Sequence, residues 1–257
     1  MSNRRLKKKK IISIDVSAGK YSTIVDEIIS LAASSTSSYT CVANVHMLVE
    51  AYNDPLFATV VNDASIVTSD GMPLAWCFKL LYNVNQDRVA GMDLLPDLIK
   101  ICCKKDIPIF VYGGTSPMLQ RSAEFFRKNF PTLKVAGMYS PPFRPLTPQE
   151  DLDVIDMINS SGAGLVFVAL GCPKQEKWMA SMHGKINASM IGIGGALPVF
   201  VGMQKRAPVW MQKTSLEWLY RLGQEPKRLF KRYFVTNTTM ILLLIKELYL
   251  NRKKVSV

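Results

Sequence analysis

Residues Gly164-Leu165-Val166-Phe167-Val168-Ala169-Leu170-Gly171-Cys172-Pro173-Lys174-Gln175-Glu176 spell strand, turn and helix start in one short stretch. The apolar run is too short for a buried helix and rich in branched side chains. It reads as a strand covered on both faces. The same pattern recurs at Thr40–Asn44, Ser65–Thr68, Ile107–Tyr112, Leu133–Ala136 and Ser189–Ile193. Helical patterns such as Ser116–Asn129 and Gln149–Ser160 lie between the runs. Apolar strands alternating with helices predict an α/β fold, a Rossmann-like and largely parallel sheet with helices on both faces, over residues 1–200. Residues 201–257 read differently. Glu217–Leu222 and Lys227–Leu250 are helical, basic and aromatic, and Pro226 is placed to start a helix, so a basic α-helical appendage is expected there.

The chain has 257 residues, 48% apolar and 20% charged, enough for one sizeable core and unlike a disordered chain. Its net charge of +12 is unevenly placed. Residues 1–10 form a basic N-terminal arm of charge +6, residues 200–257 carry +9, and the body between is mildly acidic. Basic ends suit nucleic acid, an anionic membrane or a phosphorylated ligand, and charge alone does not choose. Arg4–Lys10 imitates the start of an export signal, but Asp15 interrupts the apolar stretch behind it. Ala188–Gln204 is broken by glycines and Pro198, and Met240–Ile245 is too short to span a bilayer. The chain is therefore expected to be soluble or to sit on a membrane without crossing it. Five cysteines without metal-ligand spacing suit a reducing cytoplasm, and with His46 and His183 as the sole histidines neither a zinc site nor a cofactor is expected.

Ligands of open parallel sheets gather beyond the carboxyl ends of the strands. Asn44, Asp70-Gly71, Gly113-Gly114, Gly171 to Gln175 and Gly194-Gly195 all fall at such ends, which predicts one composite pocket. In Tyr112-Gly113-Gly114-Thr115-Ser116-Pro117 the glycines let the backbone approach a ligand, and a helix capped by Ser116 favours an anion such as pyrophosphate. Taken alone, the loop is equally a tight turn. Lys174 and Gln175 repeat this ambiguity: they face a diphosphate or form a solvated first turn. Asp70 offers a base, although an isolated Asp-Gly is more often only a turn. Asp151-Leu152-Asp153 has the spacing of a metal-binding pair, but i and i+2 on a helix point apart, and acids in a first turn suit the helix dipole. Gly192-Ile193-Gly194-Gly195 carries Leu197 where a dinucleotide fingerprint needs its last glycine. In the tail, Arg221, Lys227, Arg228, Lys231 and Arg232 interleave with aromatics, a pattern for a lipid interface or for nucleic acid.

In order, these segments resemble the WecG/TagA/CpsF glycosyltransferase family. The matching pieces are Asn44 with His46, Asp70-Gly71, Arg88-Val-Ala-Gly91-Met-Asp93 and Tyr112-Gly113-Gly114. After them come Leu170-Gly171-Cys-Pro173-Lys174-Gln175-Glu176, Gly202 with Lys205-Arg206-Ala207-Pro208, and Glu217-Trp218-Leu-Tyr220-Arg221 followed by Glu225-Pro226 and Arg228. The resemblance covers residues 40–235. It implies an inverting, metal-independent enzyme on the cytoplasmic face of the bacterial membrane. The donor would be a UDP-hexose (N-acetylmannosamine, its uronic acid or a glucose type), and the acceptor an undecaprenyl-diphosphate-linked sugar destined for teichoic acid or another surface polysaccharide. Asp70 matches the base and Arg221 a catalytic partner in the appendage. Asn44, His46, Arg88, Asp93, Gly113, Gly114, Gly171, Lys174, Gln175, Gly195, Arg206, Arg228 and Arg232 match substrate-binding positions. The appendage corresponds to the membrane-contacting part, in which Leu229, Phe230, Tyr233, Phe234 and Leu242–Leu244 would supply the apolar contact. Two departures stand out: Val42 where many members have Thr, and Leu197-Pro198 where many have Phe-Asp, a nucleoside contact. A nucleic-acid-binding α/β module accounts for the charge alone, and a nicotinamide-dependent oxidoreductase lacks its fingerprint in the first strand–helix turn. Self-association into a homo-oligomer is left open.

Overall fold

The computed structural model describes residues 6–214 and 216–255, apart from the side chains of residues 213, 228 and 251–255. All six expected apolar runs enter one parallel sheet. Its strands are β3 (Ser38–Ala43), β4 (Ile66–Ser69), β5 (Ile109–Gly113), β6 (Val135–Tyr139), β7 (Leu165–Ala169) and β8 (Ser189–Gly192), in the order β4-β3-β8-β7-β5-β6. Because every pairing is parallel, all six carboxyl ends meet along one edge.

Ahead of this sheet lies a hairpin that was not among the expected strands, β1 (Lys8–Ile11) against β2 (Ile14–Ser17). Part of the basic arm is thus strand, while residues 1–5 lie outside the described residues. Ile11, Ile14 and Val16 are buried, and Lys8 donates to the carbonyls of Asn62 (2.8 Å) and Ala64 (2.6 Å).

Helices cover both faces, as expected. On one lie α1 (Tyr21–Ala33), α5 (Gly91–Lys105), α6 (Ser116–Asn129) and α9 (Ala196–Phe200), over Val42, Val111, Phe167 and Ile191. On the other lie α2 (Val45–Asn53), α3 (Pro55–Asn62), α4 (Met72–Tyr82), α7 (Pro148–Ser160) and α8 (Lys174–Met182), over Cys41, Val67, Tyr112 and Val168. Neighbouring residues of one strand serve opposite cores, which is why both parities are apolar. Asp151 closes the first turn of α7 and Asp153 lies in the second, behind a capping box formed by Thr147 and Glu150. In α6 the cap is Thr115, not Ser116: its hydroxyl accepts from Met118 N–H, and Ser116 is already helical.

The tail is helical, as expected: α10 (Val209–Lys213), α11 (Glu217–Gln224) and α12 (Pro226–Val255), with Pro226 opening the last. α12 returns along α2 and α4 and buries Leu229, Thr236 and Met240 there. Leu229 is therefore a core residue instead of a membrane contact, and Leu244 packs on the same core. The outward stripe holds Phe230, Phe234, Ile241, Leu242, Ile245 and Tyr249, each more than half exposed. Among the described residues, no helix is long and apolar enough to cross a membrane.

Candidate active site

Asp70 directly follows β4, where its N–H donates to Ala43 O (2.7 Å) and anchors it beside the end of β3. Gly71 turns the chain at φ 102°, in the left-handed region, and α4 starts behind it. Asn44 follows β3 and caps α2, its Oδ1 accepting from Met47 N–H (3.1 Å), while its side chain also hydrogen-bonds Asp70. The segment before α5 is tied to β4: Thr68 Oγ1 donates to Val89 O (2.9 Å), Ser69 Oγ to Asp87 O (2.8 Å) and Val89 N–H to Ser69 O (2.9 Å). Those bonds carry Arg88 to the pocket.

Burial pushes the Asp70 carboxyl up to about 6; the charges of Arg88 and Arg221 and the Asn44 bond pull it down, and Glu217 pushes it further up. A carboxyl in this range is ionised at neutral pH yet basic enough to take a proton. Arg221 reaches the same place from α11: its guanidinium lies against Gly195, where an added Cβ would come 2.9 Å from Nη2 and make the side chain shift.

The β7 side is built otherwise. Gln175 is buried, and its Oε1 accepts from the N–H groups of both Gly171 (3.1 Å) and Gly194 (3.1 Å). Its Nε2 donates to Glu176 Oε1 (2.8 Å), a fully buried carboxyl whose pKa burial raises. Gln175 thus joins the turns after β7 and β8 instead of projecting into open space, whereas Lys174 beside it is exposed. Gly114 N–H donates to Ala169 O (3.1 Å), and Gly113 (φ 105°) lies so close to that carbonyl that a Cβ would sit 2.9 Å from its oxygen. In this pair of glycine turns the backbone geometry serves strand packing.

Arg88, Asp93 and Arg206 come together but are occupied with one another. Arg88 donates to Asp93 (2.5 Å) and Glu217 (3.4 Å), and Arg206 donates to the same two carboxylates (2.5 and 3.4 Å). A cavity of about 270 Å³, lined by Met92, Pro96, Ala196, Val199, Phe200 and Arg206, adjoins this cluster. His46 and Arg232 meet where α2 and α12 pack; burial first, then the Arg232 charge, lowers the His46 pKa. The side chain of Arg228 lies outside the described residues. Glu217 is the participant that residue-by-residue reading passed over. Its signal was present, since Glu217 stands one helical turn before Arg221 and shares its face.

The sequence profile of the glycosyl transferase WecG/TagA/CpsF family matches residues 9–254. The chain is 33% identical over 187 residues (72% of this chain, 71% of the relative) to a Bacillus spizizenii protein named N-acetylglucosaminyldiphosphoundecaprenol N-acetyl-beta-D-mannosaminyltransferase. Proteins of the same name in Bacillus subtilis (33% over 186 residues, 72% and 71% covered) and Staphylococcus aureus strain MW2 (26% over 197 residues, 76% of each) are also similar.

Proposed function

Since the chain belongs to the WecG/TagA/CpsF glycosyl transferase family, we propose that it transfers N-acetylmannosamine from its UDP conjugate to the sugar of an N-acetylglucosaminyl-diphosphoundecaprenol acceptor, on the way to teichoic acid or a related surface polymer. One observation carries the chemistry: a carboxyl at a strand end, held near 6 by burial between Asn44, Arg88 and Arg221. Asp70 takes the proton of the acceptor hydroxyl as that oxygen bonds to the anomeric carbon from the face opposite UDP. The bond from carbon to the diphosphate oxygen breaks, and its electron pair leaves with UDP. The configuration inverts. Arg221 would supply the cation that stabilises the developing diphosphate charge without a metal ion.

The appendage suits an acceptor embedded in lipid. The outward stripe of α12 is apolar, and the exposed Lys227, Lys231 and Lys246 lie on the same helix. An interfacial helix combines apolar burial with cations near anionic headgroups. This supports peripheral attachment to the inner face of the membrane.

The experiment offers a panel of UDP-sugars to the enzyme with a polyprenyl-diphosphate-GlcNAc acceptor in anionic vesicles, with and without EDTA, and weighs the product. The expected result is an added N-acetylhexosamine from UDP-N-acetylmannosamine, unaffected by EDTA. Transfer of a different sugar corrects the donor, and activity lost to EDTA and restored by Mn²⁺ removes the metal-free mechanism.

A further inference from the structure

Arg88, Asp93, Arg206 and Glu217 close an alternating ring of charge in which each guanidinium bridges the same two carboxylates. Between 15 and 30% of each side chain is exposed, so the ring is partly shielded from solvent. Forked, shielded contacts of this kind hold geometry better than single surface pairs do. Its members come from four places: the segment before α5, the first turn of α5, the segment between α9 and α10, and the first turn of α11.

Arg88 and Asp93 belong to the body, Arg206 to the stretch that leads from it into the appendage, and Glu217 to α11. No side chain of that helix is fully buried, and Glu217, Tyr220, Arg221 and Leu222 are half-buried. Among the described residues, its further ties include the Gln224 Nε2 bond to Lys205 O (3.2 Å) and the edge contact of Trp218 with Tyr233 of α12. Hydrophobic burial is therefore a weak hold on α11 over the pocket. Yet Arg221, one turn beyond Glu217, lies against Gly195 and acts on Asp70.

We propose that Glu217 is a positioning residue: the ring it closes with Arg88, Asp93 and Arg206 pins α11 to the body and so sets Arg221 over the pocket. Resting on the transferase reading for its catalytic consequence, this assigns Arg88 and Arg206 to holding the appendage instead of the donor. The ring itself is a statement about structure and is testable without turnover.

The first measurement is amide hydrogen exchange in the full chain. In Glu217→Gln, exchange across α11 should rise by roughly tenfold while the sheet is unchanged, because a pinned helix has become locally mobile. Arg206→Lys keeps the charge but loses the fork, and should fall between wild type and Glu217→Gln. The second measurement is a cycle of transfer rates. Glu217→Gln should cost roughly tenfold in kcat with a smaller change in donor KM, and less than about twofold once Arg221→Ala is present, because its effect runs through that side chain. Unchanged exchange in α11 overturns the pin. Additive losses overturn its action through Arg221. If the wild-type protein transfers no sugar at all, the transferase reading fails, and the exchange experiment still decides the pin.

Discussion

On the β7 side of the pocket, a buried glutamine takes the N–H groups of two glycine turns, and a third turn gives its N–H to the neighbouring strand. On the β4 side, a carboxyl is desolvated among cations, with its pKa displaced to about 6. Both sides use a glycine after a short strand and a helix after the turn. They differ in where the polar groups find partners. Groups satisfied within the protein contribute stability, whereas a group held away from its ordinary ionisation is kept for chemistry at a cost in stability.

The sharpest way to break this contrast is Asp70→Asn, which keeps the shape and removes the base. Turnover is expected to fall by roughly 10²–10⁴-fold with little change in UDP binding. Near-normal turnover on the lipid-linked acceptor would move the base elsewhere.

A second experiment uses pH. With the carboxyl near 6, kcat/KM should fall about tenfold per unit below that value. The stability effect has a definite sign. A carboxyl whose folded pKa lies above its unfolded 3.8 favours the folded state when protonated, and that contribution disappears as pH rises through the window from 3.8 to about 6. Asp70→Asn should therefore be more stable to unfolding than wild type at pH 7–8, by about 1–2 kcal/mol after allowance for solvent screening, and lose the advantage near pH 4. A variant that melts lower at pH 8 would mean that the charged form is stabilised in place.

Gln175→Leu tests the other side and should change turnover least. It strands the N–H of Gly171, leaves Gly194 N–H only its long bond to Val168 O (3.4 Å) and takes a donor from the buried Glu176, so the melting temperature should drop by roughly 5–10 °C. Turnover of the folded fraction should change only a few-fold. If turnover collapses at an unchanged melting temperature, Gln175 contacts substrate and the two sides are alike.

Local pattern was enough to identify the strands, because a parallel strand covered on both faces must be apolar at both parities, as Gly164–Leu170 is. It was not enough for β1 and β2, four residues each, with Lys8–Lys10 in one and Asp15 in the other. Their apolar residues are buried only because the hairpin folds beneath neighbours far along the chain.

What the sequence by itself determined is the α/β architecture, the strand ends at Asn44, Asp70, Gly171 and Gly194, the helical basic tail and, through ordered motifs, the family. Each follows from short-range pattern or from motif order. Only the tertiary structure decided that the N–H groups of Gly114, Gly171 and Gly194 are taken up within the protein, which stripe of α12 faces outward, and that Arg88 and Arg206 are engaged by carboxylates. The reason is separation along the chain: Arg88 meets Glu217 across 129 positions, and Arg206 meets Asp93 across 113. A side chain's charge can be read from its letter, but whether that charge is available depends on partners that only folding brings near.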